Sequence, residues 1–221
     1  MKYYPVFLRL AGRPCVVIGG GKVAEQRVDA LTRAGAKVTV ISPTLTRRLA
    51  ARVAAQDVEY QRRRYLRGDL HGYFLAYAAT DDEQVQQQLV TDAGDAGVLL
   101  NVVDRAQRCD FITPAIVERG DLIVATATGG ASPALAKRIR HELEAVFGPE
   151  YETALRLFRR LREQLRAQRR PPAERRRIFS ALANSSLLDY LRLHQTHAVD
   201  RLLAETAGDG ISLATLGMEL N

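Results

Sequence analysis

Three places along the chain hold residue types that could do chemistry together. Gly19-Gly20-Gly21-Lys22-Val23-Ala24 has the G-x-G-x-x-A spacing. Glycine in the first place allows a tight turn, and glycine in the third lets the main chain approach a diphosphate. A small residue in the last place keeps the following helix close to its strand. Such a turn offers phosphate the unpaired N–H groups of a helix start. Asp104 ends the apolar run Val98–Val103 and is a carboxylate that could hold a proton, although read alone it is better explained as the cap of the next turn. Thr128-Gly129-Gly130-Ala131-Ser132 reads equally as an anion-binding turn or as a plain turn before a helix capped by Ser132.

The glycine pattern means little without the elements around it, and these are in place. Cys15–Ile18 is a short apolar run of strand type, and Val23–Ala34 has helical spacing stopped by Gly35. Lys37–Ile41 reads as a strand, Leu45–Ala55 as a helix, Val58–Gln61 as a strand and Tyr73–Ala79 as another. Glu83–Gly94 reads as a helix and Val98–Val103 as a fifth strand. Strands alternating with helices imply a parallel sheet with right-handed crossovers, and the first of these units is that of a dinucleotide-binding domain. The second strand does not end in the acidic residue usual for holding a ribose. Ser42, Pro43 and Thr44 stand there instead, and Arg47 and Arg48 follow, so NAD and its 2′-phosphorylated form both stay open. Thr80-Asp81 closes the fourth strand at the edge that faces ligand in such sheets.

Past Asp104 the pattern changes. Phe111–Glu118 reads as a short helix or an extended piece, and Asp121–Thr126 as a strand. Ser132-Pro133 opens a helix with the apolar stripe Leu135, Ile139, Leu143 and Val146, which Gly148-Pro149 ends. From Glu150 the chain reads as helical, broken at Pro171-Pro172 and near Gly208 and Gly210. The expected division is residues 1–113, 114–148 and 149–221.

Composition narrows the functional classes. An apolar share of 47% and a charged share of 26% over 221 residues are ordinary for a globular chain. No apolar run is long enough to span a bilayer, and Met1 to Leu10 lacks the core of a signal peptide, so no membrane partner is expected and a cytoplasmic location is the default. Cys15 and Cys109 make no disulfide framework. The net charge of +7 is concentrated: Arg156 to Arg177 holds ten arginines against Glu163 and Glu174. That block suits a polyanion or is simply a solvated face. No groove-reading element accompanies it, so nucleic acid is not an expected partner. Of the histidines, His194 and His197 stand three apart on an expected helix, a spacing that can share a ligand. With no third ligand near them, no protein-held metal is expected. His141 is best explained as a surface residue.

With these residues placed, the chain resembles the bifunctional precorrin-2 dehydrogenases and sirohydrochlorin ferrochelatases of siroheme biosynthesis. The blocks that carry the likeness are Tyr4-Pro5-Val6-Phe7, Val17-Ile18 with the glycine turn, Ala78-Ala79-Thr80-Asp81-Asp82, Asn101-Val102-Val103-Asp104, Phe111-Ile112-Thr113-Pro114-Ala115 and Thr128-Gly129-Gly130-Ala131-Ser132-Pro133. The longer fused members add a uroporphyrinogen methyltransferase domain, which this chain is too short to include. The resemblance implies an α/β fold. A Rossmann-type parallel sheet is followed by a small α+β dimerisation module and an all-helical C-terminal domain, and the chain forms a homodimer. It implies NAD-dependent oxidation of precorrin-2 to sirohydrochlorin, with ferrous iron then inserted as a substrate. Any iron is held transiently at the tetrapyrrole. A substrate with eight carboxylates gives the arginines a physical purpose.

The resemblance puts Asp104 at the catalytic aspartate position. It expects the cofactor at Gly19, Gly20, Gly21, Lys22, Val23, Ser42, Pro43, Thr44, Thr80 and Asp81, and substrate at Thr128, Gly129, Gly130 and Ser132. Two alternatives remain: a dehydrogenase without chelatase activity, and a non-catalytic NAD-sensing module.

Overall fold

The computed structural model describes residues 2–220, so Met1 and Asn221, at the outer ends of the expected first and third parts, lie outside the described residues. The chain divides into two compact units, Met1–Thr113 and Pro114–Asn221.

The first unit alternates strand and helix as its hydrophobic pattern requires. The elements are β1 (Pro14–Ile18), α1 (Lys22–Arg33), β2 (Lys37–Ile41), α2 (Arg47–Ala54), β3 (Glu59–Gln61), β4 (Leu75–Ala78), α3 (Glu83–Ala96) and β5 (Leu99–Val102). All five strands are parallel, in the order β3-β2-β1-β4-β5. Parallel strands covered on both faces should read as largely apolar runs; β1, β2, β4 and β5 do, while β3, at the edge, is Glu-Tyr-Gln. Alternate residues serve opposite layers. Val16, Ile18, Ala76, Ala78, Leu100 and Val102 share a core with Leu89 and Ala93 of α3. Cys15, Val17, Val38, Val40, Leu75 and Tyr77 share the other with Val28 and Leu31 of α1 and Leu49 of α2. Burial in that second layer pushes the Cys15 thiol up to about 11, so it stays protonated.

Helix ends follow local chemistry. Gly35 at φ +77° turns the chain out of α1. α2 begins two residues later than its apolar pattern suggests because Thr46 caps it, accepting from the Leu49 N–H at 3.2 Å. Asp82 caps α3, accepting from the N–H groups of Gln84 and Val85.

The second unit opens with β6 (Ala115–Arg119) and β7 (Leu122–Thr126), an antiparallel pair. Of the two readings open for Phe111–Glu118, the extended one is correct. The pairing of Arg119 with Leu122 leaves Gly120-Asp121 as the two-residue turn, and Gly120 takes φ +57°. α4 (Pro133–Val146) follows, with Ser132 as its cap and Pro133 in its first turn. Its apolar stripe, however, buries no residue: Leu135 and Val146 are exposed.

α5 (Glu150–Ala167), α6 (Pro172–Ala183), α7 (Leu187–Arg192) and α8 (Thr196–Ala207) then gather around Leu157, Leu161, Leu165, Ile178, Leu182, Leu191 and Leu203. Most of the arginine block lies on the solvent side of α5 and α6. Arg162 stacks on Phe179, 5.0 Å from the ring centre, and Arg170 pairs with Glu174. His194 is not on a helix with His197. It lies at φ +53° in the turn between α7 and α8, which removes the shared-face spacing expected of the pair. Among the described residues no group of three His, Cys, Asp or Glu side chains is placed to hold a metal ion, and no helix is long and apolar enough to cross a membrane.

Candidate functional site

In the first unit the sheet order reverses between β1 and β4, and in parallel sheets ligands bind outside the strand ends at that switch point. Gly19 leaves β1 there, Thr80 follows β4, Ser42 follows β2 and Asp104 follows β5.

The glycine turn is packed on one side and open on the other. Gly19 sits at φ +124°, and a Cβ there would run into the Ala79 carbonyl. A Cβ on Gly20 would strike the Thr44 carbonyl and the Ser42 hydroxyl. The Gly19 N–H donates to the Ile41 carbonyl at 3.0 Å, and the Gly20 carbonyl accepts from the Thr46 N–H at 2.9 Å. Gly21 is different. A Cβ there would meet nothing within 4 Å, and no side chain caps the start of α1. Gly21, Lys22 and Val23 are all exposed. The turn is therefore fixed from behind by Gly19 and Gly20 while its front presents bare backbone at a helix N-terminus, a fit for a diphosphate.

The loop after β2 is more committed than its sequence suggests. Ser42 is buried; its hydroxyl donates to the Thr44 carbonyl at 2.7 Å, and its own carbonyl accepts from the Tyr60 hydroxyl at 2.9 Å. Pro43 and Thr44 are exposed. Arg48 is occupied by Glu25 and by Asp29 (2.7 Å), both on α1, whereas Arg47 is exposed with no ion pair among the described residues. Beyond β4, the Thr80 hydroxyl accepts from the Asp82 N–H at 3.3 Å and Asp81 is exposed.

Asp104 stands out. It adopts φ +60°, one of few non-glycine residues in the left-handed region, and its exposed carboxylate makes no hydrogen bond or ion pair among the described residues. It does not cap the following 3-10 turn, Ala106–Arg108, whose first position is Arg105 with no side-chain cap. Its backbone conformation and its free carboxylate leave it facing solvent just beyond the end of β5.

Two residues near this edge escaped the sequence reading. The Gln86 side-chain amide donates to the Thr80 carbonyl at 2.7 Å while its Oε1 is buried without a partner among the described residues. Its signal was a polar residue in the apolar stripe of α3 with Leu89 and Ala93. Cys109 grips the strand that carries Asp104.

In the second unit, the Thr128 hydroxyl donates to the Ser132 carbonyl at 3.0 Å and accepts from the Ser132 N–H at 3.3 Å, and the Ser132 hydroxyl accepts from the Leu135 N–H. Gly129 and Gly130 lie at φ +63° and +87°, and a Cβ on either would meet nothing within 4 Å. The hydroxyls close the turn, and the glycine backbone faces outward.

These features define the first unit as a nicotinamide dinucleotide-binding domain. Residues 6–115 match the model of a family described as NAD(P)-binding. The chain as a whole is a relative of the siroheme synthases. It is 36% identical over 217 residues to the siroheme synthase of Stutzerimonas stutzeri, covering 98% of this chain and 46% of that protein. It is 33% identical over 222 residues to that of Mannheimia succiniciproducens, covering 98% of this chain and 47% of that one. The chain thus spans about half the length of the relatives it matches. A solved structure described as SirC, precorrin-2 dehydrogenase, shares its fold with a TM-score of 0.79 at 24% identity, over 93% of this chain and 99% of that one.

Proposed function

We propose that the chain oxidises precorrin-2 to sirohydrochlorin with NAD, and that it also inserts ferrous iron to give siroheme. The observation that carries this reading is Asp104: a strained, exposed, unpartnered carboxylate at the same sheet edge as the open Gly21 turn. Gly19, Gly20, Gly21, Lys22 and Val23 hold the pyrophosphate. Ser42, Pro43 and Thr44 flank the adenosine ribose, and Thr80 and Asp81 line the nicotinamide side. The bound cofactor supplies the hydride acceptor. Asp104 takes a proton released as the macrocycle is oxidised, and in metallation it takes a pyrrole proton displaced by the incoming iron. Its exposure lets it pass each proton on to water.

Thr128, Gly129, Gly130 and Ser132 are the substrate-carboxylate residues proposed in the second unit, supported by outward-facing glycine backbone at a helix start. The functional division is 1–113 for cofactor, 114–148 for dimerisation and 149–221 for the helical part. Self-association of the middle part is supported by what its own chain leaves uncovered. Ile116 and Ile123 on the hairpin, and Leu135 and Val146 on α4, are exposed, and an isolated two-stranded sheet is marginal alone. The proposed location is the cytoplasm.

Incubation with precorrin-2 and NAD, followed by absorbance for NADH and sirohydrochlorin, tests the first reaction. Adding ferrous iron and following the siroheme spectrum tests the second. NADH formation with no change on adding iron would reduce the activity to dehydrogenation; no NADH formation would end the proposal.

A further inference from the structure

The outer edge of β5 has no strand neighbour, yet its hydrogen-bonding groups are occupied. The chain returns along it after the 3-10 turn. The Asp110 N–H donates to the Leu100 carbonyl at 2.9 Å, and the Asp110 carboxylate accepts from the Leu100 N–H at 2.8 Å. The Asn101 side-chain amide donates to the Phe111 carbonyl at 2.8 Å. At Val102, the last residue of the strand, a thiol takes over. Cys109 Sγ accepts from the Val102 N–H at 3.2 Å, and its one S–H lies between the Val102 carbonyl at 3.2 Å and the Arg105 carbonyl at 3.3 Å.

The sulfur therefore closes the neck of a loop whose members include Asp104, held at φ +60° with no bond of its own among the described residues. Other fastenings are main-chain bonds, from the Val103 N–H to the Ala78 carbonyl at 3.1 Å, the Arg105 N–H to the Val102 carbonyl at 3.2 Å and the Arg108 N–H to the Arg105 carbonyl at 2.9 Å, and the contacts of Arg105 and Arg108 with Glu83, at 3.6 Å and 2.6 Å, on the exposed surface. Exposed pairs of that kind constrain a loop weakly. The main-chain bonds hold Val103, Arg105 and Arg108 one by one, whereas the half-buried sulfur ties the end of the loop at Cys109 back to its start at Val102 and to Arg105, on either side of Asp104 in the chain.

The geometry points to Cys109 as a positioning residue that fixes the Asp104 backbone through three contacts of its thiol with Val102 and Arg105. This inference rests on the reading of Asp104 as the proton acceptor. Burial pushes the Cys109 thiol above its ordinary range, against the pull of the Val102 N–H, so the side chain is a neutral S–H able to give and accept at once.

The test compares the full chain with Cys109→Ala, Cys109→Ser, Asp104→Ala and the Asp104→Ala/Cys109→Ala double variant. Turnover of precorrin-2 and NAD binding, by NADH fluorescence titration, are measured for each. Cys109→Ala should lower kcat roughly 10- to 100-fold, because a shift of about 1 Å in a reacting group has that effect. Its NAD affinity should stay within about twofold, since among the described residues no hydrogen bond or ion pair joins Gly19–Val23 to the loop. Cys109→Ser keeps a donor and acceptor and should recover most of the loss, which loss of packing alone would not allow. In the Asp104→Ala background the cysteine change should add nothing, because residues acting through one group are not additive. Wild-type kcat in Cys109→Ala beside an inactive Asp104→Ala overturns the inference and leaves the proposed function intact. Further loss in the double variant, or no recovery with serine, overturns it too. Wild-type turnover in Asp104→Ala removes the reading beneath it as well.

Discussion

The two sheets of this protein are built from the same kinds of residue and end in opposite conditions. In the five-stranded sheet, each layer of side chains is covered by a helix that the intervening chain supplies, and β1, β2, β4 and β5 are almost wholly buried. In the two-stranded sheet only Val117 is buried, and Ile116 and Ile123 face outward. A crossover connection brings its own cover, whereas a two-residue hairpin turn brings none. The first sheet is thus covered within its own unit, and the second leaves Ile116 and Ile123 uncovered. Chemistry that needs fixed geometry belongs on the first.

The sharpest way to break that contrast is at Asp104. Replacing Asp104 by alanine should cut turnover about 10³-fold while NAD affinity is unchanged, measured by NADH production and fluorescence titration; loss of a general base is worth 10²–10⁴-fold. Next comes the core of the large sheet. Leu100→Ala should cost about 2–5 kcal/mol in denaturant unfolding, the usual price of a buried leucine. Gly19→Ala should weaken NAD binding about tenfold or more, because a left-handed φ and a blocked Cβ position must both be relieved.

A fourth test concerns the buried Glu150 at the start of α5. Burial pushes its carboxyl up, but the hydrogen bonds and charge of Arg192 and nearby backbone N–H groups outweigh burial and hold it below the ordinary carboxylate range. A depressed folded value stabilises the fold above the unfolded value near 4.5 and is lost as pH falls through the folded one. Arg192→Ala should therefore lower Tm at neutral pH, and the difference from the parent should shrink in acid. The smallest effect on stability should come from Ile123→Asp, within about 0.5 kcal/mol for the isolated chain. The same change should shift its sedimentation toward monomer. A large loss of monomer stability would show that the hairpin is not the open surface described here.

Most of the first unit was legible because its signals are local. Apolar runs and a glycine after α1 each act within a few residues; the Thr46 cap of α2 went unread, and the helix was expected two residues early. β6 was ambiguous because Phe111–Glu118 mixes an irregular approach with a strand only five residues long. The Gly120-Asp121 turn, which settles it, was a signal left unused. The apolar stripe of α4 was legible and its exposure was not, since periodicity shows which residues want cover but not whether the chain provides it. His194 was misplaced because a non-glycine residue at positive φ breaks a helix without a glycine or proline to announce it. At the site, the glycine turn was readable from its spacing and flanking elements, whereas Asp104 was singled out only by the family resemblance. Cys109 was not, because its partners are main-chain atoms, which every residue has.

The return of residues 109–111 along β5 has a consequence for solubility. A bare parallel edge would offer Leu100 and Val102 as a template for any extended chain nearby. Here those groups are already spent, and at the opposite margin β3 is only three residues long. The β5 rim is therefore closed to an added strand, and the β3 rim offers only a short one, so crowding or partial unfolding elsewhere should recruit the sheet into fibrous assembly less readily than a bare edge would.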